Sequence, residues 1–395
     1  MAAAPSAPTA DREGDALLPA GLRDLLPEEA GLEAHVIATL LARFAAQGYE
    51  RVAPPLVEFE SGLLAGLGAA HAAQVFRLMD PVSQRMMGLA ADMTPQVVRI
   101  ATTRLARAPR PLRLSYAGQV VRVRGTQLRP ERQFGQVGAE LIGAEGIEAD
   151  AEAILLAAES LAAVGVAGLS IDIAMPPLVP QLGRALALPE PQSTALREAL
   201  DRKDAAAVAA AAGPAHGDLF LGLLRAAGPA QRAVAALQAL RLPGQAALEA
   251  AALAALVDRI LAAAPHATFT VDPVEFRGFA YEEGVAFTLF ARGVRGELGR
   301  GGRYRAGGEP ATGFTIFTDT LLRAVPPLPA PRRVYVPLGA PLDAARRLRA
   351  EGWTTIAGMA VEPDARDQSE AARRLGCDHI WRDGAPRPLA PASAT

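Results

Sequence analysis

Residues 112–143 read LRLSYAGQVVRVRGTQLRPERQFGQVGAELIG and hold the side chains with the most chemical promise in the chain. From Phe134 to Leu141 apolar and polar residues alternate with a period of two. This predicts a strand with Val137, Ala139 and Leu141 on one face and Gln136, Gly138 and Glu140 on the other. A glycine between an amide and a carboxylate suits recognition. The missing side chain lets a small ligand approach the backbone, and the flanking polar groups grip an amine or ring nitrogens. The same pattern also fits a half-exposed strand whose polar face simply meets water.

Other chemistries lack their residues. Of 40 basic side chains only Lys203 is a lysine. It is expected on a solvated helix face, so a lysine for a phosphate loop or a Schiff base is missing elsewhere. The glycine-rich run at residues 296–304 (GELGRGGRY) has no Gly-Lys-Ser/Thr ending and reads as a turn between strands that needs positive φ. His35, His71, His216, His266 and His379 are scattered without ligand spacing, and Cys377 is the single cysteine. No metal, cofactor or intrachain disulfide is expected, which suits a reducing compartment. A net charge of −2 and a pI of about 6.3 give no basic field for nucleic acid.

Several motifs, in order, resemble class II aminoacyl-tRNA synthetases and histidyl-tRNA synthetases in particular. Residues 112–143 look like motif 2. Gly48 to Glu58 (GYERVAPPLVE) looks like motif 1, a helix running into a strand. Ala91 to Gln96 (ADMTPQ) matches the loop that holds the amino group of histidine. Arg277 to Tyr281 (RGFAY) resembles the histidine-specific RGLDYY motif. Gly301 to Tyr304 resembles the GGRY turn, and Gly313 to Ile316 the start of a motif 3 helix. The likeness covers roughly residues 17–325 and implies an α+β fold: a class II synthetase-like antiparallel sheet flanked by helices. It also implies a histidine site. Asp92, Thr94 and Glu140 would hold the α-ammonium, and Arg122 and Gln136 the α-carboxylate. Arg277 and Tyr304 would close the pocket, with Tyr281 stacking or hydrogen-bonding. Read without the family, Arg122 and Arg124 pair with Glu140 or Asp92, and Thr94 caps a helix.

The chain departs from the synthetase pattern where ATP is held. Arg124 stands for the glutamate of the motif 2 Arg-x-Glu, and Thr320 for the motif 3 arginine. A threonine hydroxyl does not replace a fixed cation against a triphosphate. Ala280 and Glu282 also replace the aspartate and second tyrosine of RGLDYY. Amino-acid grips kept beside nucleotide grips lost are similar to the regulatory subunits of ATP phosphoribosyltransferase. That resemblance implies a non-catalytic, cytoplasmic protein of histidine biosynthesis. Its partner would be a short-form ATP phosphoribosyltransferase catalytic subunit, with L-histidine as allosteric effector and a homodimer inside a hetero-oligomer. An active histidyl-tRNA synthetase and another synthetase-like amino-acid sensor are the alternatives.

The elements that must position these residues are largely predictable. Pro27-Glu28-Glu29 opens a helix with Leu32, Val36, Ile37, Leu40, Leu41 and Phe44 at helical spacing, ended by Gln47-Gly48. Residues 75–79 and 85–89 flank Asp80-Pro81 as a hairpin, and Thr94-Pro95 starts a second helix. Residues 180–265 turn alanine- and leucine-rich, with breaks at Gly213-Pro214, Gly228-Pro229 and Pro243-Gly244, and read as a helical insertion. Residues 267–272 and 284–290 resume the sheet. Residues 326–331 (PPLPAP) make a stiff linker. Residues 332–395 resemble a shortened anticodon-binding α/β domain: strand 334–337, helix 342–350, strand 353–358, helix 367–375, strand 377–381 and a proline-rich tail. Residues 1–16 are expected to be a disordered tail, and no charge-free apolar run of about 18 residues points to a membrane span.

Overall fold

The computed structural model describes residues 17–64, 72–127, 129–276 and 283–389. The chain divides into two compact units between Pro326 and Pro327.

In the first unit, α1 (Pro27–Ala46) has Glu28 and Glu29 in its first turn and Arg43 in its last, each favourable to the helix dipole. It buries Val36, Leu40 and Phe44 and ends at Gln47, beyond which Gly48 takes a φ of 83°. Then come β1 (Glu50–Arg51), β2 (Val57–Phe59), a single turn α2 (Glu60–Leu63), and the hairpin β3 (Arg77–Met79) and β4 (Met86–Leu89). Helix α3 (Thr94–Thr103) leads into the long strands β5 (Leu112–Val121) and β6 (Gln133–Ile142). After α4 (Ile147–Ala163) and β7 (Leu169–Ala174) the chain enters its helical stretch: α5 (Leu178–Ala185), α6 (Glu190–Asp201), α7 (Ala205–Arg225), α8 (Ala230–Ala239) and α9 (Gln245–Ala263). A two-residue strand, β8 (Gly228–Pro229), separates α7 from α8. The unit closes with β9 (Thr268–Asp272), β10 (Ala286–Ala291), β11 (Gly299–Ala306), β12 (Glu309–Phe317) and α10 (Thr318–Leu321).

Among the described residues the main sheet has the order β1-β5-β6-β12-β11-β10-β7-β9-β8. The sequence predicts an antiparallel sheet, and that holds through the centre, from β5 to β7. The pairs β1–β5 and β7–β9 are parallel instead. In the second case the helical stretch carries the chain back to the starting end of the sheet, as a crossover between parallel strands must.

One face of the sheet carries the large apolar core. There Phe44 of α1, Val137, Ala139, Ile154, Phe287, Phe314 and Ile316 pack with the helices that follow β7. The second face carries a smaller core of Met93, Val97, Leu114, Tyr116, Phe134 and Phe317 under α3. Strand β6 is therefore buried on both faces, with only Gln133 exposed. The half-exposed alternative fails because α3 covers the side that would have met water.

Three local expectations change. Gly301 and Gly302 lie inside β11 rather than in a turn, and a Cβ on Gly301 would strike the Gly313 carbonyl oxygen of β12. The segment 313–317 is strand, and the helix expected there begins only at Thr318. Lys203 is not on a helix face. It occupies the left-handed region at φ 56° beyond α6 and binds Asp272 Oδ2 at 2.6 Å. Helix α7 is long and apolar enough to cross a membrane, yet Gly213 breaks it and it buries Val208, Ala212, Phe220 and Leu223.

The second unit is a four-stranded sheet, β14-β13-β15-β16. Its elements are β13 (Arg333–Val336), α11 (Leu342–Ala350), β14 (Thr354–Ala357), α12 (Ala365–Arg374), β15 (His379–Arg382) and β16 (Ala385–Pro388). Helix α12 starts earlier than its sequence pattern suggests because the Asp364 carboxylate accepts from the amides of Arg366 and Asp367, at 2.8 and 2.9 Å. Strand β16 runs through the proline-rich tail as an antiparallel partner of β15.

Candidate functional site

Glu140 is the centre of the second face. Its side chain is 1% exposed, and three hydroxyls converge on it. Thr94 donates to Oε1 at 3.0 Å, Tyr116 to Oε1 at 3.2 Å and Tyr304 to Oε2 at 2.9 Å. Strand register explains the meeting. Glu140 on β6 is paired with Gly313 on β12, and a Cβ at Gly313 would collide with the Glu140 carboxylate. Gly138 pairs with Tyr116 on one side and Thr315 on the other. The space above it is taken by the Tyr116 ring, whose hydroxyl lies 2.6 Å from Thr315 Oγ1. Gly138 therefore makes room for a tyrosine rather than for a ligand.

Burial raises the Glu140 carboxyl from its ordinary value to about 7, against the pull of the three hydroxyls. Burial and the Glu140 charge likewise hold the Tyr116 phenol well above its usual value, so it stays a donor. Glu140 is thus poised between its charged and neutral forms near neutrality.

The cavity it faces measures about 250 Å³ and is lined in part by Asp92, Thr94, Arg122, Glu140, Tyr304 and Thr315. The loop from Asp92 to Thr94 is held from two sides. Asp92 Oδ1 accepts from the Thr94 amide at 3.0 Å, and Gln136 Oε1 accepts from the Met93 amide at 2.9 Å. Thr94 makes no capping bond to its helix; its hydroxyl turns to Glu140. Arg122 Nε donates to the Ala91 carbonyl at 3.1 Å, and its Nη2 lies 3.9 Å from Asp92 Oδ2. Burial and the like charges of Arg129 and Arg300 lower the Arg122 pKa, with Asp92 opposing. The cavity thus offers two carboxylates at one side and a guanidinium at another, which matches the ammonium and carboxylate of an amino acid.

Of the residues singled out in the sequence, Asp92, Thr94, Arg122, Glu140 and Tyr304 line this cavity. Gln136 does not. It is fully buried, supports the Met93 backbone and keeps its Nε2 without a partner among the described residues. Arg277 and Tyr281 lie outside the described residues. Sequence reading missed Tyr116, Thr315 and Arg300; in the β5–β6 register Leu114 faces Glu140 and Tyr116 faces Gly138, so Tyr116 reaches the carboxylate from a diagonal position.

The positions read as lost ATP contacts are also defined. Arg124 is exposed at the cavity mouth. Thr320 is 2% exposed, with Arg129 Nη2 at 3.4 Å from its hydroxyl. Arg129 itself is pinned by Asp319 at 2.9 Å, and its guanidinium carbon lies 3.8 Å from the Phe317 ring centroid and 4.9 Å from that of Phe134. No group of three or more metal-ligating side chains is placed to hold an ion among the described residues.

The chain resembles known proteins over most of its length. The histidyl-tRNA synthetase family model matches residues 21–321. An ATP phosphoribosyltransferase regulatory subunit from Rhodospirillum centenum is 60% identical over 371 residues, covering 93% of this chain and 95% of the relative. A solved ATP phosphoribosyltransferase regulatory subunit/histidyl-tRNA synthetase from Bacillus halodurans superposes with a TM-score of 0.76 at 23% identity, covering 90% of this chain and 96% of the other. The ATP phosphoribosyl transferase (HisG:HisZ) complex from Thermotoga maritima contains a chain with a TM-score of 0.59 at 15% identity, covering 73% and 97%.

Proposed function

Since this chain belongs to the ATP phosphoribosyltransferase regulatory subunits, a family built on the histidyl-tRNA synthetase fold, we propose that it associates with a short-form catalytic subunit, enables its activity and conveys feedback by histidine. The observation that carries the feedback reading is the Glu140 chamber, where buried acid, hydroxyls and Arg122 are arranged for a zwitterion. The nucleotide side offers less. Arg124 puts a cation where the synthetase pattern has an acid, and Thr320 is packed against Arg129. Each lost charge-assisted contact is worth about 1.5–3 kcal/mol. Pure protein should show no histidine-dependent ATP–pyrophosphate exchange, and clear exchange would return the chain to the synthetases. Association is tested by light scattering after size exclusion of the chain mixed with its cell's catalytic subunit. One hetero-oligomer containing paired copies of this chain, joined through the segment from Gly48 to Glu58, is the expected species. Two separate peaks, or a lone monomer, would refute it.

The state of Glu140 gives a pH signature. An ammonium ligand needs the ionised carboxylate, so binding to the free protein releases a proton below about pH 7. Histidine affinity should fall by about tenfold per pH unit below that value and level off above it. The ligand imidazole titrates in the same range, so the Glu140→Gln variant serves as the reference curve. Calorimetric affinities with the same pH slope in both proteins would remove Glu140 from the ammonium site.

A further inference from the structure

We propose that a second cavity, bordered by Arg122, Arg124 and Arg300, binds the phosphate group of a hydroxylated small molecule, a sugar phosphate by chemical class. This cavity measures about 670 Å³ and shares those three arginines with the Glu140 chamber. Arg122 also borders the amino-acid chamber, while Gln127, Glu131 and Phe290 line this cavity and not that chamber.

The charges around it are unequally answered. Arg129 is committed to Asp319 and seated against Phe317, so it forms part of the wall. Arg300 is tied to Glu297. Arg122 has a carbonyl partner and an acid only at 3.9 Å, while Arg124 makes no hydrogen bond or ion pair among the described residues. Arg124 therefore reaches the cavity with no ion pair among the described residues and Arg122 with only the distant Asp92, and Arg122 also feels the like charges of Arg129 and Arg300. A dianion removes that repulsion and accepts forked hydrogen bonds that a monoanion fills less well. A phosphate alone would leave much of the cavity empty. Glu131 and Gln127 also line it, and Glu131 Oε2 has no partner among the described residues. Those groups suit the hydroxyls of a sugar, and Phe290 offers an apolar surface for its carbon skeleton.

The test is calorimetric titration of the full chain with ribose 5-phosphate, inorganic phosphate and ribose, in a buffer without phosphate or sulfate. Ribose 5-phosphate should bind at least tenfold tighter than inorganic phosphate, and ribose not measurably. Arg124→Ala, at an exposed position, should keep the wild-type melting temperature and weaken ribose 5-phosphate tenfold or more. Glu131→Gln should erase most of the difference between ribose 5-phosphate and phosphate while leaving phosphate itself bound. Equal affinity for the two phosphates in the wild type, no binding of either at millimolar concentration, or wild-type affinity in Arg124→Ala would each overturn the proposal.

Discussion

Replacing Glu140 by alanine should weaken histidine binding by roughly 2–5 kcal/mol, about 30- to several-thousand-fold, while leaving the partner's phosphoribosyl transfer intact. The cost is large because Glu140 is itself 1% exposed, so the contact it makes with an ammonium lies away from bulk water, and Asp92 alone remains to answer the charge. The substitution also removes the common acceptor of Thr94, Tyr116 and Tyr304. Glu140→Gln keeps an acceptor for two of them and separates lost charge from lost packing. A histidine acts on the complex only through a difference in affinity between its active and inhibited forms. The alanine complex should therefore run at full rate at histidine concentrations that silence the wild type. Inhibition matching the wild type would place the feedback site elsewhere.

Asp319→Ala should destabilise the first unit by about 3–5 kcal/mol, because it removes the nearest counter-charge of a buried guanidinium. Arg129 and Asp319 are 8% and 6% exposed, and the arginine has the Phe317 ring at 3.8 Å where a counter-charge would otherwise be hydrated. Glu297, with its carbonyl at 3.3 Å and its carboxylate at 3.7 Å, and the Thr320 hydroxyl at 3.4 Å are more distant partners than the carboxylate that is lost. Chemical denaturation of the single variant and of Arg129→Leu/Asp319→Leu measures this directly. The double variant should recover a large part of the loss, since removing both charges removes the desolvation cost along with the pair. A single variant within about 1 kcal/mol of wild type would show that Arg129 reaches water.

The order of elements was legible in the sequence wherever periodicity and punctuation agreed. Helix α1 is the clearest case: a proline and two glutamates at its start, apolar residues at helical spacing, and Gly48 after its end. Glu140 was legible because alternation in β6 placed it opposite the apolar row. Its surroundings were not, because they arise from strand pairing. Tyr116, Thr315 and Gly313 come to it from β5 and β12 through a register that the sequence of β6 alone does not encode. Glycine was the other source of error. Gly301 reads as a turn residue and Gly313 as the start of a helix, but in the fold they are absent side chains inside strands, one clearing a carbonyl and the other a carboxylate. Thr94 was misread for a related reason. A threonine before a helical proline is a plausible cap, yet its hydroxyl found a stronger, ionisable acceptor in Glu140.

Control of another enzyme by this chain is measured most directly as the rate of phosphoribosyl transfer by the short catalytic subunit of the same cell, assayed alone, with equimolar full-length chain, and with the chain plus histidine. Little activity alone, a large rise on adding the chain, and loss of that rise with histidine are the expected results. A catalytic subunit equally active in all three conditions would contradict such control.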